Sequence, residues 1–169
     1  MIKMIVATDL NMGIGYENEL LMVIPEDMKR FKTLTTGSGN NTVLCGNNTF
    51  KSIGKLPNRQ MVVATTDKSL TSKDVHYTTD IHNFISNWNT YAADDEDLWI
   101  VGGSQVYKET LQYIDELYLT VIAKRFDKVD AYFPIESGEL SNFTIDYTSL
   151  HIDEHEGVQY NFITMVRID

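Results

Sequence analysis

The sequence has one cysteine, Cys45, so no internal disulfide can form, and a reducing compartment suits it. It has no apolar run near the roughly 18 residues that span a bilayer. The apolar opening, Met1 to Ala7, is short, lacks a small-residue cleavage site and passes directly into Thr8 and Asp9. It therefore reads as a first strand rather than an export signal. No repeat, low-complexity tract or linker-like stretch is present. Positive charge is scarce: 14 Lys and Arg against 24 Asp and Glu leave a formal net charge of −10, which repels nucleic acid and anionic membranes. His76, His82, His151 and His155 have no metal-ligand spacing, so no metal site is expected. The acidic run 94–97 reads as a solvated loop.

What is present is an ordinary globular balance, 43% hydrophobic and 22% charged over 169 residues. One domain, 1–169, with one sizeable core is expected. Strand-like runs at Ile2–Ala7, Thr42–Cys45, Met61–Thr65, Val75–Tyr77, Leu98–Val101, Glu116–Ile122, Phe143–Thr148 and Gln159–Arg167 alternate with helix-like runs at Pro25–Thr35, Thr49–Ile53, Ile81–Tyr91 and Ser104–Tyr113. The last two strands have no helix after them and share a polar connection, 151–157, which predicts a closing hairpin. The pattern predicts a three-layer α/β fold: a central, mostly parallel eight-stranded sheet with an antiparallel C-terminal strand, and four helices flanking both faces. Ligands of such sheets sit outside the carboxyl ends of the strands.

Three segments carry candidate chemistry. In Pro25 to Leu34, at about 100° per residue, Asp27, Phe31 and Leu34 share one arc, while Lys29, Arg30 and Lys32 fall on the other side. Glu26 and Asp27 in a first helical turn can simply favour the helix dipole. Alternatively, a carboxyl on an apolar stripe has its pKa raised by desolvation and can hold a pterin-like or pyrimidine-like ring. The connection Asp9–Ile24 is long, with Gly13 and Gly15 and little periodicity. It reads either as a lid or as a mobile surface loop, and the apolar run Leu20 to Ile24 favours one that packs. Two strand-to-helix turns, Val43 to Phe50 and Trp99 to Tyr107, place small and hydroxyl residues where helix N–H groups lack partners. Asn48, Thr49 and Ser104 there are either N-caps or part of a phosphate cradle, and two such turns together suit a dinucleotide pyrophosphate.

Taken in order, these stretches resemble a known family. Ile14 to Asn18, followed by Ile24 to Lys32, resembles the dihydrofolate reductase signature of a lid loop leading into an acid-bearing helix. Gly46 to Thr49, Ser52 to Arg59, Val101 to Tyr107, Leu117 to Thr120 and Asp130 to Pro134 match in sequence and spacing over nearly the whole chain. The resemblance implies reduction of dihydrofolate to tetrahydrofolate with NADPH, by hydride transfer to C6 and protonation at N5. It also implies a monomeric cytoplasmic enzyme of one-carbon and thymidylate metabolism.

Residue by residue, the resemblance implies that Asp27 anchors the pterin and assists its protonation, supported by Thr120. Met22 would stand in the lid beside them. Ile5, Val6, Ala7, Met28, Phe31, Ile53, Leu56, Val101 and Tyr107 would line the substrate site. Arg59 would hold the glutamate α-carboxylate, as a planar guanidinium does well. For NADPH it implies Ala7, Ile14, Gly15, Asn18, Gly46, Asn47, Asn48, Thr49, Thr65, Thr66, Val101, Gly102, Gly103, Ser104, Gln105 and Val106, with Tyr107 near the nicotinamide.

The chain departs from the family pattern at Leu21 and Met22, where proline and tryptophan are usual. It departs again at Asn47 and Gln105, where a basic residue commonly meets the 2′-phosphate. Lys51 or Lys68 is the candidate replacement. Rival readings are a pyrimidine reductase of the same fold and a homologue kept for binding or structure without turnover.

Overall fold

A computed structural model describes residues 1–135 and 139–168. In chain order its elements are β1 (Ile2–Thr8), β2 (Gly13–Gly15), α1 (Pro25–Thr36), β3 (Thr42–Gly46), α2 (Asn47–Ile53), β4 (Gln60–Ala64), β5 (His76–Thr78), α3 (Ile81–Ser86), α4 (Trp88–Tyr91), β6 (Leu98–Ile100), α5 (Ser104–Thr110), β7 (Glu116–Ile122), β8 (Ala131–Tyr132), β9 (Phe143–His155) and β10 (Val158–Arg167). Single 3-10 turns lie at Leu111–Tyr113 and Glu139–Asn142.

The central strands are largely apolar because they are covered on both sides. Side chains alternate across a strand, so Met4, Val6, Leu44, Val62, Leu98 and Ile100 enter one core with Ile81, Ile85, Trp88 and Val106 of α3, α4 and α5. Ile5, Val43, Cys45, Met61, Val63 and Trp99 enter the other, against Phe31 and Leu34 of α1 and Phe50 of α2. Cys45 is fully buried, and burial pushes its thiol up to about 12. The strand order is β5-β4-β3-β6-β1-β7-β10-β9. Pairing is parallel from β5 to β7, and β10 runs antiparallel to both β7 and β9. The expected eight-stranded sheet with its antiparallel C-terminal strand is therefore present, with helices on both faces. Among the described residues, no helix is long and apolar enough to cross a membrane.

Three features differ from the expectation. The helix predicted over Ile81–Tyr91 divides at Asn87, whose side-chain amide donates to Asn83 O at 2.8 Å and so competes with the helical ladder. That division gives the described residues five α-helices rather than four, and the helix predicted over Ser104–Tyr113 tightens to a 3-10 turn after Thr110. Finally, β2 pairs with β8 as a separate two-stranded sheet inside what reads as loop. Gly13–Gly15 is too short for periodicity, and its partner lies far along the chain.

Candidate active site

α1 begins at Pro25 after Ile24, which supplies no side-chain cap. Of the two first-turn acids, Glu26 is exposed and Asp27 is turned toward the sheet. Thr120 of β7, 1% exposed, donates its hydroxyl to Asp27 Oδ1 at 2.6 Å. Burial raises the Asp27 carboxyl above the ordinary range, and the Thr120 hydroxyl and the Arg30 charge oppose that rise in part. Lys29 and Lys32 are exposed, as the helical wheel predicts, but Arg30 is not with them. Its long side chain lays the guanidinium carbon 4.4 Å from the Phe162 ring centroid and 5.5 Å from that of Tyr118. Stacking on aromatic faces is available to a guanidinium and overrides the wheel.

Arg59, in the turn before β4, meets the far end of the same helix. It is 7% exposed, and its Nε donates to Pro57 O at 2.9 Å. Its Nη1 donates to Thr35 Oγ1 at 3.0 Å, and that hydroxyl donates in turn to Phe31 O at 2.7 Å. Both acceptors are neutral, so these bonds orient the guanidinium without cancelling its charge. Asp27 and Thr35 are about 12 Å apart along α1 at ~1.5 Å per residue. The carboxyl and the guanidinium thus lie near opposite ends of α1. Ile5, Phe31, Leu56 and Val101 belong to the core on this side. Met28 and Ile53, on α1 and α2, are apolar yet 42% and 37% exposed. Ala7 is half-buried and follows Ile5 by alternation. Val6 alternates into the opposite core with Tyr107, so its side chain stands away from α1.

The lid candidate is more ordered than its sequence suggests. Glu17 and Asn18 have φ of 51° and 63°, and Tyr16 and Glu19 exchange backbone bonds of 3.0 Å, a tight hairpin. Asp130 Oδ2 accepts from Glu17 N at 3.0 Å, and Asp130 N donates to Gly15 O at 3.0 Å. Ser52 Oγ of α2 donates to Asn18 O at 3.0 Å, which ties the hairpin to that helix. Ile14 is half-buried against the opposite core. Met22 packs with Ile24, Ile122, Tyr160 and Phe162.

Sequence reasoning missed Asp9. It is 1% exposed and accepts from Asn11 N at 2.9 Å, Gly13 N at 2.8 Å and Phe126 N at 3.2 Å, anchoring the lid's root. The available signal was a strand-ending Asp shortly before a glycine, where Asx turns form.

The two glycine turns meet. α2 and α5 are preceded by Gly46 and Gly103, neither with a side-chain cap. Asn48, Thr49 and Ser104 therefore lie inside the first helical turns and are not N-caps. Gly46 N donates to Gly102 O at 2.8 Å, joining the turns across neighbouring strands. The backbone N–H groups at both helix starts suit phosphate oxygens, so these residues fit a dinucleotide. Ser104 Oγ accepts from Tyr132 N at 3.1 Å, and Gln105 donates to Glu109 at 2.7 Å. Val106 and Tyr107 are buried beneath, and the Tyr107 hydroxyl donates to Ile5 O at 2.7 Å. Thr65 and Thr66 follow β4; Thr65 Oγ1 accepts from Asp67 N at 3.1 Å, and Thr66 is exposed.

Gly102 has a φ of +113°, and a Cβ there would lie 3.2 Å from the Tyr107 ring. Gly102→Ala is expected to destabilise the fold by about 1–3 kcal/mol and to weaken NADPH binding. Urea melts with and without NADPH check this, and a parent-like midpoint with parent-like cofactor affinity would remove the strain argument.

The family model described as dihydrofolate reductase matches residues 1–167. A dihydrofolate reductase of Staphylococcus aureus (strain Mu50) is 32% identical over 173 residues, with 98% of each chain covered. One of Bacillus subtilis (strain 168) is 32% identical over 135 residues, covering 79% of this chain and 76% of that one. Among solved structures, dihydrofolate reductase from Enterococcus faecalis, complexed with NADP(H) and RAB-propyl, superposes with a TM-score of 0.86 at 28% identity. That superposition covers 100% of this chain and 97% of the other. A carboxyl and a guanidinium at the two ends of one helix, with a pair of joined glycine turns in the same fold, thus occur in a chain that belongs to the dihydrofolate reductase family.

Proposed function

We infer that this chain reduces dihydrofolate to tetrahydrofolate with NADPH, as a single-domain cytoplasmic monomer without nucleic-acid partners. The observation that carries this reading is the Asp27–Thr120 pair placed at the opposite end of α1 from Arg59.

Thr120 occupies one oxygen of Asp27, leaving Oδ2 and the remaining lone pairs for N–H donors on the substrate ring. A carboxyl already pushed upward by burial responds to a ring that binds and gains a proton. Arg59, oriented by Pro57 and Thr35, receives the tail carboxylate as a bidentate partner. Ile5, Phe31, Leu56 and Val101 keep water from the ring, which strengthens the Asp27 contact. The N–H groups of the glycine turns and the Arg59 charge supply the local positive potential that a chain of net charge −10 needs to hold two anions. Bound NADPH supplies the hydride. The Tyr16–Glu19 hairpin, tied to Ser52 and Asp130, covers the substrate groove while donor and acceptor are aligned.

Loss of NADPH absorbance with dihydrofolate tests the reading. Turnover of a ribosylamino-pyrimidine in its place would favour the related reductase, and turnover of neither would favour a binding homologue.

The cofactor's 2′-phosphate needs a cation beyond the turns. Asn47 is neutral, and Gln105 is engaged by Glu109. Lys68 is exposed just after Thr65 and Thr66. Lys68→Ala is expected to lower the ratio of kcat/KM for NADPH over NADH by about 10-fold, the loss of one charge-assisted contact. An unchanged ratio assigns no role to Lys68 and directs attention to Lys51.

A further inference from the structure

The packing that draws Arg30 inward leaves one of its donors without a partner. Its guanidinium lies on the rings of Phe162 and Tyr118, and its Nη1 is buried with no hydrogen-bond partner among the described residues. A buried charged donor left unpaired is expensive. The site is also built firmly. Tyr118 donates its hydroxyl to Glu116 at 2.7 Å, and Glu116 lies 3.8 Å from Lys3. Phe162 is registered opposite Thr120 on one side and His151 on the other, with the His151 ring stacked on it at 5.6 Å. Asp27 and Arg30 are neighbours on one helical face, three residues apart. Thr120, the strand partner of Phe162, is the residue bonded to Asp27.

We propose that Arg30 is a positioning residue for the reaction: clamped on two rings one helical turn beyond Asp27, its guanidinium is a fixed positive charge set behind the carboxyl that meets the substrate ring. The proposal rests on Asp27 being the ring-binding carboxyl. The other titratable groups facing Asp27 are Tyr107 of α5 and Tyr160 of β10; Tyr118 of β7 faces Arg30, Cys45 of β3 faces Tyr107, and Asp153 of β9 and Glu26 of α1 face Tyr160. Arg30 is the cation in this set, and its attraction opposes the desolvation of Asp27. The same linkage appears from the other side, where burial lowers the Arg30 guanidinium and Asp27 raises it.

The test compares Arg30→Met, of similar reach without charge, with Arg30→Lys. The Asp27 titration is followed by carboxyl-carbon NMR in the ligand-free protein, and kcat/KM for dihydrofolate is followed against pH. Arg30→Met is expected to move the Asp27 midpoint up by about half to one pH unit, less than the 1–3 units of a direct ion pair. Arg30→Lys should return most of that shift, and the kcat/KM profile should move in parallel. An Asp27 midpoint unmoved in Arg30→Met, or moved equally in both variants, overturns the proposal. A midpoint that moves while the kcat/KM profile stays fixed upholds the Arg30–Asp27 coupling and sinks the assignment of Asp27 to the reaction. Should Arg30→Met fail to fold, Arg30→Gln supplies the same neutral comparison.

Discussion

Asp27→Asn is expected to lower turnover of dihydrofolate at neutral pH by at least ~10²-fold, the lower range for a group that manages a proton. The amide can still accept from Thr120, so the groove keeps its shape while losing its charge and its proton. NADPH affinity should stay near the parent's, because the glycine turns are untouched. Steady-state rates and cofactor titration check both parts, and near-parental turnover would overturn the assignment of Asp27. The same variant has a second signature. Burial raises the Asp27 carboxyl above its ordinary value of 3.8 in the folded protein. Below 3.8 the group is protonated in both states and costs nothing. As pH rises above 3.8 the unfolded chain ionises while the folded carboxyl keeps its proton, so a penalty on folding grows until the pH passes the folded value and is constant above it. Asp27→Asn should therefore melt higher than the parent at neutral pH, with the gap closing as the pH falls toward 3.8.

Arg59→Leu is expected to raise KM for dihydrofolate by about 10²-fold while kcat changes little. A bidentate guanidinium–carboxylate contact is worth roughly 3 kcal/mol at the upper end for a charge-assisted pair, and each ~1.4 kcal/mol is tenfold. The hydride moves at the other end of the groove, so the loss falls on binding rather than on the chemical step. A dihydropterin lacking the glutamate tail should be reduced equally well by parent and variant. Equal losses with both substrates would mean that Arg59 supports α1 through Thr35 and does not hold the tail. Arg59→Lys keeps the charge but not the fork, and should fall between parent and Leu.

Much of this arrangement is legible in the sequence because it depends on local pattern. The parallel strands are mostly apolar, the glycine turns follow two of them, and Asp27 shares an arc with Phe31 and Leu34. Less legible features depend on contacts between distant segments. Arg30 lies on the polar side of a helical wheel, yet Phe162 and Tyr118, both far along the chain, draw it inward. β9 continues to His155, past the predicted end at Thr148, because an edge strand is held by its partner and shows water a polar face. The hairpin turn at Glu156 and Gly157, with φ of 50° and 78°, is correspondingly shorter than the polar stretch around it. Asn48, Thr49 and Ser104 look like caps by residue type, but Gly46 and Gly103 take that position. The identity of the cap depends on where the backbone turns, and the packing of one glycine turn on the other decides that.

β10 has a consequence for how the protein comes into being. It is the partner that flanks β7 on the side away from β1, and it carries Phe162. On a ribosome, the segments bearing Asp27, Arg59 and the glycine turns emerge long before it does. Until β10 has emerged, the hydroxyl that meets Asp27 sits on an open sheet margin and the cation behind Asp27 lacks the nearer of its two rings. Competence therefore waits for β10, and a product stopped before that strand is incomplete at its chemistry as well as in its fold.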